Sequence, residues 1–562
     1  MAKVNVKKRE TLSDVFKNIA SGITGVYVFI ILAIFPLYTH DMYFDILGAR
    51  YMFFKIWAIS LVVILSLLGI LYMLMDYSNK QSAPCAFYRF FTSFAPKNIK
   101  KHIVITDIFY VAMLIVCIIS TLNSGFKEEA LTGNAGRYQG LECWILYTLT
   151  YFAITRTFKF KKMYLNFALL AGVIACLWGD ADFLWLDPFG FFKNVNYVQH
   201  TMFASSIGNL NTYTNYTAMI FAIGSVLFYL EDNFIWTIIY FIASVIGATG
   251  SVFGLADNAV LGFFAFYLFL PFFRFKTRRD FVRYFWLIDS LLISLFLFWI
   301  AIKYPHNSGQ SAFFLDLIAH KEIVFMFIPW TIITIIIWFV MIKIKPNYGT
   351  QVANNLKPID SILPKQIKIG YVVVVILGFS VVTYILLDMN IFKQHVDLWR
   401  QLPSSHQLVF DDNWGTHRGH NWRIAFTNFT QNFDWMKRLF GYGPDTYLVV
   451  SERTFYEEMV QRYGEVYDSA HNEYINYLIC EGVLGLISYL GIFISGICYG
   501  LKVLKKEPLI LVSVMAVVCY MVQAIVNIAI PITTPIFFTL MYIGVATYFD
   551  QIKNANSENI VQ

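Results

Sequence analysis

The chain has 562 residues, 58% of them hydrophobic, 18% aromatic and only 14% charged, whereas about a quarter of the residues of a soluble globular domain are charged. With a mean hydropathy of +0.57, this composition excludes a soluble globular protein and points to a polytopic membrane protein. A formal charge of +7 is what Lys and Arg retained in cytoplasmic loops produce, and no basic run resembles a nucleic-acid-binding module, so nucleic acid is not an expected partner.

The basic N-terminus KVNVKKRE precedes an apolar run over residues 23–38 that ends FPLYTHD, with no small-x-small cleavage site, so it reads as a retained first span. Further apolar runs long enough, or nearly so, to cross about 30 Å of hydrocarbon centre near Ile64, Leu114, Tyr147, Leu170, Ala222, Tyr240, Phe266, Leu295, Ile333, Val375, Leu486, Met515 and Met541. The expected fold is all-α, a polytopic transmembrane bundle of about 12–14 helices with one long extracytoplasmic loop. It divides into N-terminal helices over 1–389, the large extracytoplasmic loop over 390–470, and C-terminal helices over 471–562.

An inside N-terminus places roughly twice as many Lys and Arg inside as outside. The strongest inside markers are RTFKFKK after Thr155, RFKTRRDFVR from Arg274 and LKVLKKE from Leu501. Six of the seven cysteines lie in apolar segments and Cys85 in a basic loop, so neither a disulfide framework nor a zinc spacing is expected.

On this topology three outside segments are richer than their neighbours. In GNAGRYQGLECW, Arg137 stands between Gly136 and Gly140 just before a span. The loop from Gly179 to Asn215 contains SSIGNLNTYTNY, and the loop from about Asn390 to Ala470 carries Arg400, Arg418, Arg423, Lys437, Arg438, Arg453 and Arg462. Long loops without spans of their own are more often functional than idle. Within the last of them, Trp422, Phe426, Phe429, Phe433 and Met436 recur every three to four residues. That spacing fits an amphipathic helix on the membrane surface, which Gly441 and Gly443 then stop.

Other acidic residues have plainer readings. Asp411 and Asp412 are adjacent rather than spaced for a metal and read as solvated; Asp41 and Asp45 lie in the first outside loop. Glu481 falls ten residues beyond His471, about 15 Å deeper if one helix carries both. A buried ionisable residue in a span is functional by default, and a helix-orienting hydrogen bond is the plainer role.

The order Arg423, LFGYGPDTY from Leu439, then AHNEYINYLICEGVLGL from Ala470 resembles the bacterial O-antigen ligase and polymerase superfamily. Its hallmark is a long external loop with an Arg, a G-x-G-P turn, and a His-Asn pair opening the next transmembrane helix. GRYQG around Arg137 and GNLN from Gly208 to Asn211 agree more loosely, and after TGS, ending at Ser251, this chain has Val252 where family members often place Arg. The resemblance implies transfer of a glycan from an undecaprenyl diphosphate carrier to the hydroxyl of a glycan, lipid, wall-polymer or protein acceptor. The reaction would take place at the outer face of the bacterial cytoplasmic membrane, among membrane lipids, with no metal or other cofactor.

The residues present suit that chemistry. Arg offers a planar, always-charged fork to a diphosphate leaving group, and a His that stays neutral at physiological pH can take the acceptor proton. The expected catalytic residues are His471 and Arg423, and the expected substrate-binding residues are Arg137, Arg418, Asn472, Gly441 and Gly443. Asp468 or Ser469 would cap the helix and set His471 in its first turn, where the dipole disfavours imidazolium. The competing reading is a transporter or flippase for a lipid-linked saccharide, which predicts internal repeats and midplane charges. Here the charges gather in one outside loop.

Overall fold

All fourteen apolar runs are helical. The protein is described from a computed structural model covering residues 11–78, 85–93, 95, 103–134, 136–275, 277–303, 312–343, 363–402 and 405–561; the basic stretch Lys3–Glu10 lies outside these. The first half contains α1 (Leu12–Phe29), α2 (Ile46–Ser78), α3 (Ile105–Asn123), α4 (Leu141–Thr157), α5 (Lys162–Phe183), α6 (Leu210–Leu230), α7 (Phe234–Phe253), α8 (Asn258–Arg274) and α9 (Arg278–Ala301). Then follow α10 (Phe327–Lys343), α11 (Leu363–Leu387), α12 (Trp414–Thr427), α13 (Trp435–Phe440), α14 (Tyr447–Tyr463), α15 (Glu473–Cys480), α16 (Gly482–Val503), α17 (Ile510–Gln523) and α18 (Thr534–Val561). The only sheet among the described residues pairs Phe203–Ala204 with Gly208–Asn209.

Among the described residues ten helical segments are long and apolar enough to cross a membrane. Two more, Asn258–Arg274 and Ile510–Val526, are apolar but shorter. The remaining two expected spans are α4 and α18, which are not among the ten.

Burial separates centre from periphery. The apolar stretch of α6 is 94% buried, whereas that of α11 is 0% buried, so α6 is the axis and α11 lies outermost. α6 and α7 approach closely because Gly247 lies against the Phe221 backbone and Ser225 bonds Ser244 at 2.6 Å, the small-residue contact that lipid-embedded helices use. The TGS stretch serves the same packing: Thr249 bonds Ser294 at 3.1 Å and Ser251 bonds Thr217 at 2.8 Å. Val252 is fully buried.

Charge inside the bundle is likewise taken up by backbone. Beyond α1 the chain loosens into a π-turn, Ile30–Ile34, and a 3-10 turn in which Pro36 ends the helix. Arg50, buried on α2, donates to the carbonyls of Phe35, of Pro36 at 3.1 Å and of Ser206 at 2.7 Å. Carbonyls that a helix end leaves without partners are thereby satisfied.

Segment 390–470 has an apolar cluster of its own. Ile424, Ala425, Phe433, Tyr447, Val450 and Met459 are buried together with Ile475 and Ile479, so the packing unit runs through residue 470 into α15. The expected single surface helix is not formed. α12 ends in a π-turn at Asn428–Asn432, Phe433 is extended, and α13 begins afresh at Trp435. Phe433 is buried and Trp422 and Phe429 are partly buried, while Phe426 alone of the α12 stripe is exposed. The stripe serves a small core because α14 and α15 offer it a partner surface.

Candidate functional site

The GRYQG loop and the G-x-G-P turn, some 300 residues apart, close on each other through Asp445. Its Oδ2 accepts the backbone N–H groups of Arg137 at 2.6 Å and Gln139 at 2.9 Å, and a Cβ on Gly136 would stand 2.9 Å from its Oδ1. Burial pushes this carboxyl up to about 7 against the pull of the two amides. Nothing in the sequence marked Asp445 except its place after Pro in a glycine turn, where its φ of +57° is one that Asp tolerates better than most residues. The guanidinium of Arg137, held by this loop, reaches Asp468 at 2.5 Å.

His471 stands at the other side of Asp468. Asn472, not Asp468 or Ser469, caps α15, its Oδ1 accepting the Ile475 N–H at 3.1 Å. His471 therefore precedes the helix rather than entering its first turn, with φ of +48°. The turn that carries it is anchored from α12: Asn421 donates to the Ser469 carbonyl at 2.8 Å and the Trp422 indole to the Ala470 carbonyl at 2.9 Å. Burial first, then the charges of Arg418 and Arg137 against that of Asp468, pushes the ring down to about 4. The imidazole is neutral at physiological pH for these reasons, and the helix dipole is not needed to explain it.

Arg418 opens the right-handed part of α12, immediately after three left-handed residues, Gly415 to His417. Its NH1 donates to the Gly415 carbonyl at 2.7 Å, and its Nε is buried without a hydrogen-bond partner, as is the Nε of Arg137. Burial pulls the Arg418 pKa down, with Asp257 opposing. Arg137, Arg418 and His471 thus share one electrostatic neighbourhood.

Arg423 lies in another. It donates through Nε to Asp412 at 3.1 Å and through NH2 to Glu458 at 2.5 Å, while Arg462 reaches the second oxygen of Asp412 at 2.6 Å. His420 joins through Glu458 at 3.1 Å. Nε and NH2 of Arg423 are both ion-paired, and the side chain is 43% exposed. Asp412, expected to be solvated, is the hub of this network. Asp45 pairs with His40 at 2.5 Å.

Gly441 and Gly443 pack backbone against backbone. The Tyr442 and Gly443 amides donate to the carbonyls of Ile479, at 3.2 Å, and Cys480, at 2.9 Å. A side chain on Gly441 would strike the Cys480 carbonyl, and one on Gly482 the Leu439 carbonyl. This contact sits where the helix breaks, since Glu481 is non-helical and Gly482 has φ of +72°. Glu481 is therefore not one continuous helix away from His471. With Arg137, Gln139, Asp445, Ser469 and Glu473 it lines a narrow polar cleft of about 10 Å³. Glu473 is held there by the hydroxyls of Tyr489 at 2.5 Å and Tyr520 at 2.9 Å.

The GNLN stretch borders this region. Asn209 caps α6, and the Asn211 carbonyl accepts from Asn258 at 2.9 Å and Asn527 at 3.2 Å. Asn527 adjoins Ile528 in the wall of the polar cleft; Asn211 adjoins Leu210 in the wall of a second cleft, of about 40 Å³. There Trp185, with φ of +59°, stacks on His200 at 3.7 Å, and the buried carboxyl of Asp182 accepts the Ser205 N–H at 2.7 Å. Among the described residues no group of three or more His, Cys, Asp or Glu is arranged to hold a metal ion. No protein-family model matches the chain, and no curated protein is significantly similar to it.

Proposed function

We propose that this protein is a membrane glycosyltransferase of the O-antigen ligase and polymerase type. It would move a glycan from an undecaprenyl diphosphate carrier to an acceptor hydroxyl at the outer face of the bacterial cytoplasmic membrane. The observation that carries the reading is the shared neighbourhood of two partly desolvated guanidinium groups, Arg137 and Arg418, and a neutral imidazole, His471. The acceptor oxygen attacks the anomeric carbon, His471 takes its proton, and the carbon–oxygen bond to the diphosphate breaks. Arg137 and Arg418 receive the charge that develops on the leaving diphosphate, where positioned donors stabilise a transition state most. The adjoining cleft, lined by the Trp185 ring and by Thr201, suits the apolar C–H face and outward hydroxyls of a sugar ring. Arg423, engaged by Asp412 and Glu458, braces α12 and through it Arg418.

Purified protein in vesicles, given a polyprenyl-diphosphate-linked oligosaccharide and an acceptor, should release polyprenyl diphosphate in step with glycan transfer. Relocation of the intact lipid-linked substrate without release would overturn the reading in favour of a flippase. Sidedness is tested on intact cells: a cysteine replacing exposed Glu457 should react with a membrane-impermeant thiol reagent, while Cys85 should not. The reverse labelling would move the site to the cytoplasmic face.

A further inference from the structure

At the far end of α6 from Asn211 the molecule has a large apolar groove. Phe228 stands 17 residues along α6 from Asn211, about 25 Å at helical rise, so the groove is remote from the cluster around His471. It is an open groove of about 710 Å³ between α6, α7, α9 and α10. Its walls are Phe228, Phe234, Phe241, Trp286 and Trp338, and Arg279 and Arg283 enter it from the start of α9. Phe234 and Trp338 are exposed.

The charges at that end do not balance locally. Lys162 pairs with Glu231, and Arg279 pairs with Asp232 and donates to the Glu231 carbonyl. Arg283 has no carboxylate at ion-pair distance among the described residues. It donates to the Phe228 carbonyl and to Thr237 Oγ1 at 3.5 Å, and lies 5.3 Å over the Phe228 ring; Glu231, Asp232 and Asp280 act on it from further off. A guanidinium beside hydrocarbon is costly unless an anion reaches it. The same groove offers apolar length that water fills poorly.

One ligand answers both features. We propose that the groove binds a glycerophospholipid with an anionic headgroup, its phosphate on Arg283 and an acyl chain along Phe241, Trp286 and Trp338. α10 is held on α9 by Trp330, which donates to the Phe285 carbonyl at 3.2 Å, and by Thr331, which donates to Asp289 at 2.6 Å. The lipid fills the groove beside this contact, where only 11% of the Lys321–Val340 segment is buried by protein. It is a resident lipid, not the transferred donor, and the proposal does not depend on the glycosyltransferase reading.

The full chain, purified in mild detergent, is examined by native mass spectrometry and by thermal melting with phosphatidylglycerol, phosphatidylcholine, inorganic phosphate or a polyprenyl diphosphate. Phosphatidylglycerol should be retained at one per chain and should raise the melting temperature, while phosphatidylcholine and inorganic phosphate leave it unchanged. Arg283→Ala should reduce retention at least tenfold and Arg283→Lys less. Trp338→Ala, on the exposed lip, gives a second variant with an intact charge and should weaken retention severalfold. Equal retention of the two phospholipids, unchanged retention in both Arg283→Ala and Trp338→Ala, or displacement of phosphatidylglycerol by polyprenyl diphosphate would each overturn the proposal.

Discussion

Arg418 and Arg423 stand five residues apart on one helix and have opposite circumstances. Arg423 is exposed and is ion-paired through Nε to Asp412 and through NH2 to Glu458. Arg418 is partly buried, with one bond to a carbonyl, a partnerless Nε and its charge bearing on His471. Exposed ion pairs of the first kind contribute about 0–1 kcal/mol; partly desolvated guanidinium groups of the second kind have donors left for an anion. The pair teaches that a basic residue in a functional loop is identified by what its fork already holds, not by its type or its distance from a motif.

The largest expected effect lies on the cluster side. His471→Ala should lower glycan transfer by about 10²–10⁴-fold, the range for loss of a positioned base, while binding of the lipid-linked donor, measured separately, stays near wild type. Transfer at the wild-type rate would dissolve the distinction between the two regions. Next, Arg418→Lys keeps the charge but loses the planar fork, and transfer should fall by about 10²–10³-fold, as for removal of one transition-state donor. An unchanged melting temperature would separate this from misfolding.

The pH profile sharpens the electrostatic part. With the His471 pKa pushed down to about 4, the ring stays unprotonated as pH falls from 8 to 5, so the acid limb of the transfer rate should lie below pH 5. Arg418 depresses that pKa, so Arg418→Gln should move the limb up towards the ordinary value of His, about 6.5. Asp468 raises it, so Asp468→Asn should move the limb further down. A shift in the same direction for both variants would show that these charges do not act on the ring.

The smallest effect belongs to the exposed network. Arg423→Lys should change transfer by less than about tenfold, since only a surface pair is weakened. A loss as large as that of Arg418→Lys would return Arg423 to the reacting centre, where the family resemblance had placed it.

The ten helices long and apolar enough to span a membrane, among the described residues, were legible in the chain because a membrane span is a local property. Some twenty apolar residues suffice, and each backbone group bonds within its own segment. Arg137, Arg418 and His471 were also named from the sequence, since their chemistry suits a diphosphate and a hydroxyl. Glu481 and Gly482 hid a break inside an apolar run, and the only local sign was a glycine at its middle, which in helices is weak punctuation. The cap on α15 went to Asn472 rather than to Asp468 because Asp468 is held by Arg137, on a loop more than 300 residues away.

By itself the sequence determined which apolar segments are helical, that they belong in a membrane, and which residue types were available for chemistry, because hydropathy acts over a few neighbouring residues. Only the tertiary structure decided that Asp445 receives the Arg137 loop, that Asp412 and Glu458 bind Arg423, and that the charge of Arg418 acts on His471. The reason is that a side chain's burial and partner are set by whichever distant segment folds against it, and no local pattern encodes that choice.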